Sequence, residues 1–367
     1  MENADVTFFR FETPCHCTTM EFRMKLILTF LVIVTSSQLF AREGKELIDL
    51  LRKGNAQHDV GNYEQALTFY KKALKYDSIS GLVQYEMAYT LLAMKRYDEA
   101  AQYSRKVIDL DSKQQQGAYL MLGSALNMSG KIQDAIQVYL EGVSKFRTMH
   151  QLHYNLALAY YDIGNLSKSE EALYRSLQMR PGHVNSHMLL GNVLSSRGDN
   201  IKSALCYAYV LYLDPEIYNA SAIETLLKTK IETLFDTTLG PLQTGRFPGD
   251  SIFAIVYESL NELRVQTYED SSFAHSLCLF LGSLHSLIEK GHPLWSDLYA
   301  HTFYGLQNSG HCEAFSHSLS SVNTDPDNES WMRLNQAKVQ EMRSWIDSHQ
   351  PPQKMNQILF GGRSVFR

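Results

Sequence analysis

Small and apolar positions recur along residues 47–217 with the period of one helical hairpin. A small residue in mid-helix returns at Gly54, Ala88, Gly123, Ala157 and Gly191, at spacings of 34, 35, 34 and 34. A second small slot holds Ala66, Ala100, Ala135, Ser169 and Ser203, and four residues later come Tyr70, Ser104, Tyr139, Leu173 and Tyr207. Between the two slots lie Gly61, Lys95, Gly130, Gly164 and Gly198. Glycine is expected there because a helix usually exits through a left-handed residue, a conformation that strains other side chains. Pro181 and Pro215 close the last two units, where a helix cannot continue. The pattern predicts pairs of antiparallel helices whose small residues let backbones approach. One pair cannot bury its own apolar face, so neighbours must stack around a continuous core.

In these positions the chain resembles the tetratricopeptide repeat family, over a little under half its length. The resemblance implies an all-α fold: a right-handed α-α superhelix, followed here by a helical C-terminal region. Five repeats are expected within 42–220, at 47–80, 81–115, 116–149, 150–183 and 184–217. It also implies that the first helix of each pair lines a concave groove. The groove slots carry Asn55, His58 and Asp59 in the first repeat, and Leu82, Tyr85 and Tyr89 in the second. Asn127 and Met128 follow in the third, Tyr154, Tyr161 and Asp162 in the fourth, and Asn192 in the fifth. Tyr85 and Tyr89 are four apart and Tyr154 and Tyr161 seven apart, so each pair shares a helical face. A surface of Tyr, Asn, Ser and Met suits an extended peptide, which can bond to amides and stack on rings. Some members of the family grip a C-terminal carboxylate with two Asn and several Lys or Arg. Only Asn55 fits that clamp; Tyr89, Glu86, Gly117 and Met121 occupy the other slots.

Beyond Pro215 the period fades and single helices are expected over 221–350. One covers Ile223 to Phe235, and a Gly- and Pro-punctuated boundary spans Gly240 to Asp250 before a helix toward Val265. Another runs from Ser272 to Glu289, with an apolar stripe of Phe273, Leu277, Leu281, Leu284 and Ile288. Pro293 to Leu306 follows, then a turn at Gly310. A last helix is predicted from Glu329 to Ser348, with Trp331, Leu334, Val339, Met342, Trp345 and Ile346 on one arc. Residues 351–367 are expected as a flexible tail. This layout is similar to secreted tetratricopeptide proteins of Bacteroidetes-type bacteria.

The N-terminal pattern differs. Arg23, Met24 and Lys25 precede an apolar run from Leu26 to Val34, which leads to Leu39-Phe40-Ala41. These are the parts of a cleavable signal peptide over 24–41. The run is shorter than the roughly 20 apolar residues a membrane-spanning helix needs, so no integral span is expected. Residues 1–23 carry Glu2, Asp5, Glu12 and Glu21 and read as an over-extended start, with Met24 the expected initiator. The mature chain is therefore expected in the periplasm or secreted.

Composition narrows the chemistry. At 44% hydrophobic and 20% charged the chain reads as globular, and a net charge of −5 gives no basic footprint for nucleic acid. Six histidines between His275 and His317 are spaced 10, 7, 9, 10 and 6 apart, not the three or four that place two ligands on one helical face. No nucleophile elbow, His-Glu-x-x-His or phosphate-loop pattern occurs, and neither metal nor cofactor is expected. Removing the leader leaves Cys206, Cys278 and Cys312, with Cys278–Cys312 the expected disulfide in an oxidising compartment. The expectation is thus a non-catalytic scaffold holding a peptide or protein partner through Asn55, Tyr85, Tyr89, Asn127, Tyr154, Tyr161 and Asn192. The alternative is a hydrolase-like or metal-dependent domain at 250–348 carried by the repeats.

Overall fold

The left-handed turns set the architecture. Gly61, Lys95, Gly130, Gly164 and Gly198 all have positive φ, between 59° and 81°. At the first, the Gly61 N–H donates to the His58 carbonyl at 2.9 Å and the Asn62 N–H to Gln57 at 2.8 Å. The other four make the same pair of bonds, which satisfy the last carbonyls of one helix and aim the chain into the next. A computed structural model describes residues 16–236, 256, 258–261, 272–290, 293–319 and 326–351. Residues 1–15, the Gly240–Asp250 boundary, His292 and the tail after Pro351 lie outside the described residues.

The turns join α1 (His16–Asp59) to α2 (Tyr63–Ala73), α3 (Gly81–Ala93) to α4 (Tyr97–Asp109) and α5 (Gln115–Met128) to α6 (Ile132–Lys145). Two more pairs follow, α7 (His150–Asp162) with α8 (Leu166–Met179) and α9 (Val184–Ser196) with α10 (Asn200–Leu213). In the last two, Asn165 and Asp199 cap the second helix by accepting from the Lys168 and Lys202 N–H. The described residues are all-α, built of consecutive helix pairs. They form two compact units, Met1–Ala118 and Tyr119–Arg367.

The small slots are where the helices of a pair meet. A Cβ on Gly54 would stand 2.3 Å from the Tyr70 ring; on Gly123, 2.2 Å from Tyr139; on Gly191, 2.6 Å from Tyr207. The repeats with Ala88 and Ala157 place Ser104 and Leu173 in the facing position instead of tyrosine. The glycine is thus present where a ring must lie flat on the opposing backbone.

α1 runs unbroken through the predicted leader into the first repeat, and Met24, Leu26, Ile27, Leu28 and Phe30 on it are exposed. No helix among the described residues is long and apolar enough to cross a membrane.

In the second unit α10 is buried on every side, from Ile201 through Tyr212. A helix apolar all round needs neighbours all round. These include α11 (Ala220–Phe235) and, beyond α12 (Phe273–Ser283) and a 3₁₀ turn over Leu284–Lys290 in the chain, a π-helical stretch over Pro293–Ala300 that runs into α13 (His301–Asn308). Tyr209 packs against Tyr299 at 4.9 Å and Phe303 at 6.1 Å between ring centroids, and Tyr212 against Phe315 at 6.4 Å. Gly310 repeats the left-handed turn into α14 (Cys312–Leu319). Counting as in the repeats, its two small slots hold Phe303 and Phe315, 6.3 Å apart, so this hairpin keeps the turn and not the close crossing.

The predicted last helix is two, α15 (Pro326–Leu334) and α16 (Gln336–Ser348). The Asn335 side chain donates to the Trp331 carbonyl at 2.9 Å, a bond that competes with the helical ladder. The apolar arc is broken with it: Val339 and Met342 are buried, whereas Leu334 is 80% exposed. Cys278 on α12 and Cys312 on α14 are joined as a disulfide with Cα atoms 5.8 Å apart.

Candidate partner-binding face

The first helices of the pairs carry the candidate residues, and their side chains divide by what they already touch. In the first unit Tyr89 is 51% exposed, and its ring stacks on His58 at 4.8 Å and 27°. His58 is fixed on its other sides by Tyr63, 5.2 Å away, and by a bond between Nδ1 and the Thr90 hydroxyl at 2.9 Å. An outward-facing ring is therefore held in place before any partner arrives. Tyr85 differs: its ring lies against the backbone of Gly117, where a Cβ would come within 2.6 Å. Burial pushes the Tyr85 phenol up, and the same effect, with Asp59 second, raises the Glu86 carboxyl.

Asn55 is occupied within its own repeat. Its Oδ1 accepts from the Tyr70 hydroxyl at 2.8 Å. Tyr70 is fully buried and pushed up to about 12, chiefly by desolvation. The device recurs in the second unit, where the Tyr207 hydroxyl donates to Asn192 Oδ1 at 3.0 Å and Tyr139 pairs with Ser124 at 3.1 Å. The groove slot beside each small glycine thus doubles as the anchor for the tyrosine that packs on that glycine.

Asn127 donates through Nδ2 to the Asp162 carboxylate at 3.0 Å, tying the third first-helix to the fourth. Tyr154 meets His183 edge-on at 5.2 Å, and His183 in turn stacks on His150 at 4.8 Å. Burial lowers both imidazoles, His183 to about 4, so the stack is of neutral rings near pH 7. Tyr161 is half-exposed and Met128 is exposed beside Asn127. Among the groove slots, Tyr89 and Leu82 face outward in the first unit and Tyr161 and Met128 in the second, while Tyr85 and Tyr154 are spent largely on packing.

Three of the C-terminal histidines lie against aromatic rings: His285 on Tyr304 at 4.7 Å, His311 on Trp345 at 5.9 Å and His317 on Trp331 at 4.0 Å. Among the described residues no group of three His, Cys, Asp or Glu could hold a metal ion. His187 is fully buried between the Pro181 carbonyl at 2.5 Å and the Tyr299 hydroxyl at 2.6 Å, and burial pushes it down to about 3. Cys206 is free, buried and in contact with the same hydroxyl at 3.4 Å; desolvation raises its thiol, the opposite of a reactive cysteine.

Two family models described as tetratricopeptide repeat match the chain, at residues 58–122 and 120–184. Residues 58–184 are tetratricopeptide repeats. A curated relative, BBSome complex member BBS4 of Bos taurus, is 22% identical over 140 residues, 38% of this chain. The match spans about a quarter of that relative, 27% of its length. Among solved structures, MamA of Desulfovibrio magneticus is 21% identical, covering 47% of this chain and 98% of its own, with a TM-score of 0.42. YrrB, described as having an unusual peptide-binding site, is 20% identical over 48% of this chain and 91% of its own, with a TM-score of 0.39. PilF of Pseudomonas aeruginosa is 17% identical over 55% and 95%, with a TM-score of 0.42.

Proposed function

We propose that this tetratricopeptide-repeat protein is a non-catalytic scaffold that holds an extended peptide or protein partner in the groove of its first helices, outside the cytoplasm. The observation that carries this reading is the exposed Tyr89 ring pre-positioned by His58. An ordered aromatic costs little entropy on binding and offers a large contact area. In the second unit, considered by itself, half-exposed Tyr161 and exposed Met128 occupy the corresponding first-helix slots. The location outside the cytoplasm is supported by the short apolar run 26–34, and by a disulfide between α12 and α14, a bond that persists in oxidising compartments.

The test compares Tyr89→Ala and Tyr161→Ala with Tyr85→Ala for affinity to the recovered partner and for thermal stability. The first two should weaken binding by about 2 kcal/mol with little change in Tm, as anchors do. Tyr85→Ala should lower Tm. Full affinity in both outward variants would remove the groove from the account. Cell fractionation with N-terminal sequencing checks the location: the expected result is an extracytoplasmic chain starting after Ala41, and a cytosolic chain that retains 24–41 contradicts it.

A further inference from the structure

Where the fourth and fifth repeats meet, the second unit contains a cleft of about 610 Å³. It opens among the first turns of α7 and α9, the ends of α8 and α10, and the segment after α16. Its volume is in the range of sites that take small ligands or short peptide segments. Nothing in the groove assignment uses it.

The lining sorts by chemistry. Arg180 is the cationic group, and no acidic side chain lines the cleft among the described residues. Arg180 Nη1 donates to His150 Nε2 at 3.2 Å. A guanidinium can only donate, so that nitrogen accepts, and the imidazole proton sits on Nδ1. His150 is 7% exposed, forms part of the cleft wall, and its Nδ1 has no hydrogen-bond partner. That nitrogen is itself buried, so Arg180 is the charged donor the cleft offers. The first turns of α7 and α9 border the cleft as well, and helix N-termini favour negative charge. Set against this polar corner are Met179, Val184, Leu213 and Pro351, an apolar wall for a hydrocarbon group. Thr148, Gln151 and Gln350 provide neutral hydrogen-bonding groups between the two.

We propose that this cleft binds an apolar chain that ends in a carboxylate, with the anion on Arg180 and the hydrocarbon against Met179, Val184 and Leu213. A peptide C-terminus and a free apolar acid both present that chemistry. Arg180 contributes a planar donor fork matched to carboxylate geometry, and it is exposed enough to turn from His150 toward a ligand.

Calorimetric titration of the full chain tests this with three probes: N-acetyl-Ala-Ala-Leu with a free carboxylate, its C-terminal amide, and octanoate. The free-acid peptide should bind and its amide should bind roughly tenfold or more weakly, since a charge-assisted bond is lost. Octanoate binding with no peptide binding supports the cleft and assigns it to a free acid. Arg180→Gln should weaken the bound acid by about tenfold or more, and Arg343→Gln, on the exposed side of α16, should not. Unchanged far-UV circular dichroism shows that each variant is folded. Equal binding of acid and amide, no binding of any probe at millimolar concentration, or an Arg180→Gln variant indistinguishable from Arg343→Gln would overturn the proposal.

Discussion

Gly123→Ala isolates the feature on which each repeat is built. In an exposed helix interior this change stabilises by about 0.8–1 kcal/mol through propensity alone. Here the new Cβ would lie 2.2 Å from Tyr139 Cε1 and 2.4 Å from Cζ, far inside contact distance. Tyr139 is buried and its hydroxyl is tied to Ser124 at 3.1 Å, so the ring cannot swing away without losing that bond. Overpacking of this kind costs about 1–3 kcal/mol, and loss of the hydroxyl bond adds about 1. The clash therefore exceeds the propensity gain, and the net destabilisation is about 1–3 kcal/mol. In a unit of this size that lowers Tm by about 2–4 °C per kcal/mol. The fourth repeat provides the compensation: its Ala157 faces Leu173 rather than a tyrosine. Tyr139→Leu alone loses packing and the Ser124 bond, but combined with Gly123→Ala it should cost less than the sum, with a coupling of about 1–2 kcal/mol. Urea denaturation of the wild type, both single variants and the double measures it. A stabilised Gly123→Ala, or additive single changes, would refute the close-approach reasoning.

Other expectations follow from particular contacts. Lys95 holds φ at 59° in a slot where the other repeats have glycine, so Lys95→Gly should stabilise the first unit by up to about 1 kcal/mol in thermal or urea unfolding; a loss would contradict this. His187 is held near pKa 3 by burial, below its unfolded value near 6.5. Its contribution is therefore present above pH 6.5 and lost as pH falls, because the unfolded chain takes up a proton that the folded one refuses. Between pH 7 and 5 this should cost about 2 kcal/mol, and a pH-independent urea midpoint would contradict the buried neutral imidazole. The Cys278–Cys312 bond closes a loop of 34 residues. Replacing both by Ser should cost about 2–4 kcal/mol, and non-reducing peptide mapping should recover that pair with Cys206 unlabelled in the folded chain; any other pairing contradicts the arrangement of α12 and α14.

The repeat was legible because its signals are local. A left-handed exit, a small residue and a proline each constrain the chain at one position, and Gly61, Gly130, Gly164, Gly198 and even Lys95 sit where the sequence places them. The alternation of Gly54/Tyr70, Gly123/Tyr139 and Gly191/Tyr207 with Ala88/Ser104 and Ala157/Leu173 was also written in the sequence. Reading it would have tied Asn55 and Asn192 to tyrosine hydroxyls rather than to a partner alone. The unbroken apolar run Ala204–Leu213 likewise signalled a helix covered on all sides. The break at Asn335 and the 3₁₀ turn after Ser283 were not legible, because each depends on competition between a helical ladder and tertiary contacts. The cleft at Arg180 was hidden for a different reason: its lining comes from four separate stretches of sequence, and only packing brings them together.

The claim that the first-helix face carries the partner is tested most directly by placing a photo-activatable residue at single positions in the full chain. Tyr89 and Tyr161 report the groove, and Leu140, exposed on α6, reports the opposite helix layer. The account predicts one cross-linked partner species from positions 89 and 161 and none from 140. Cross-linking from 140 alone, or equally from all three, would contradict it.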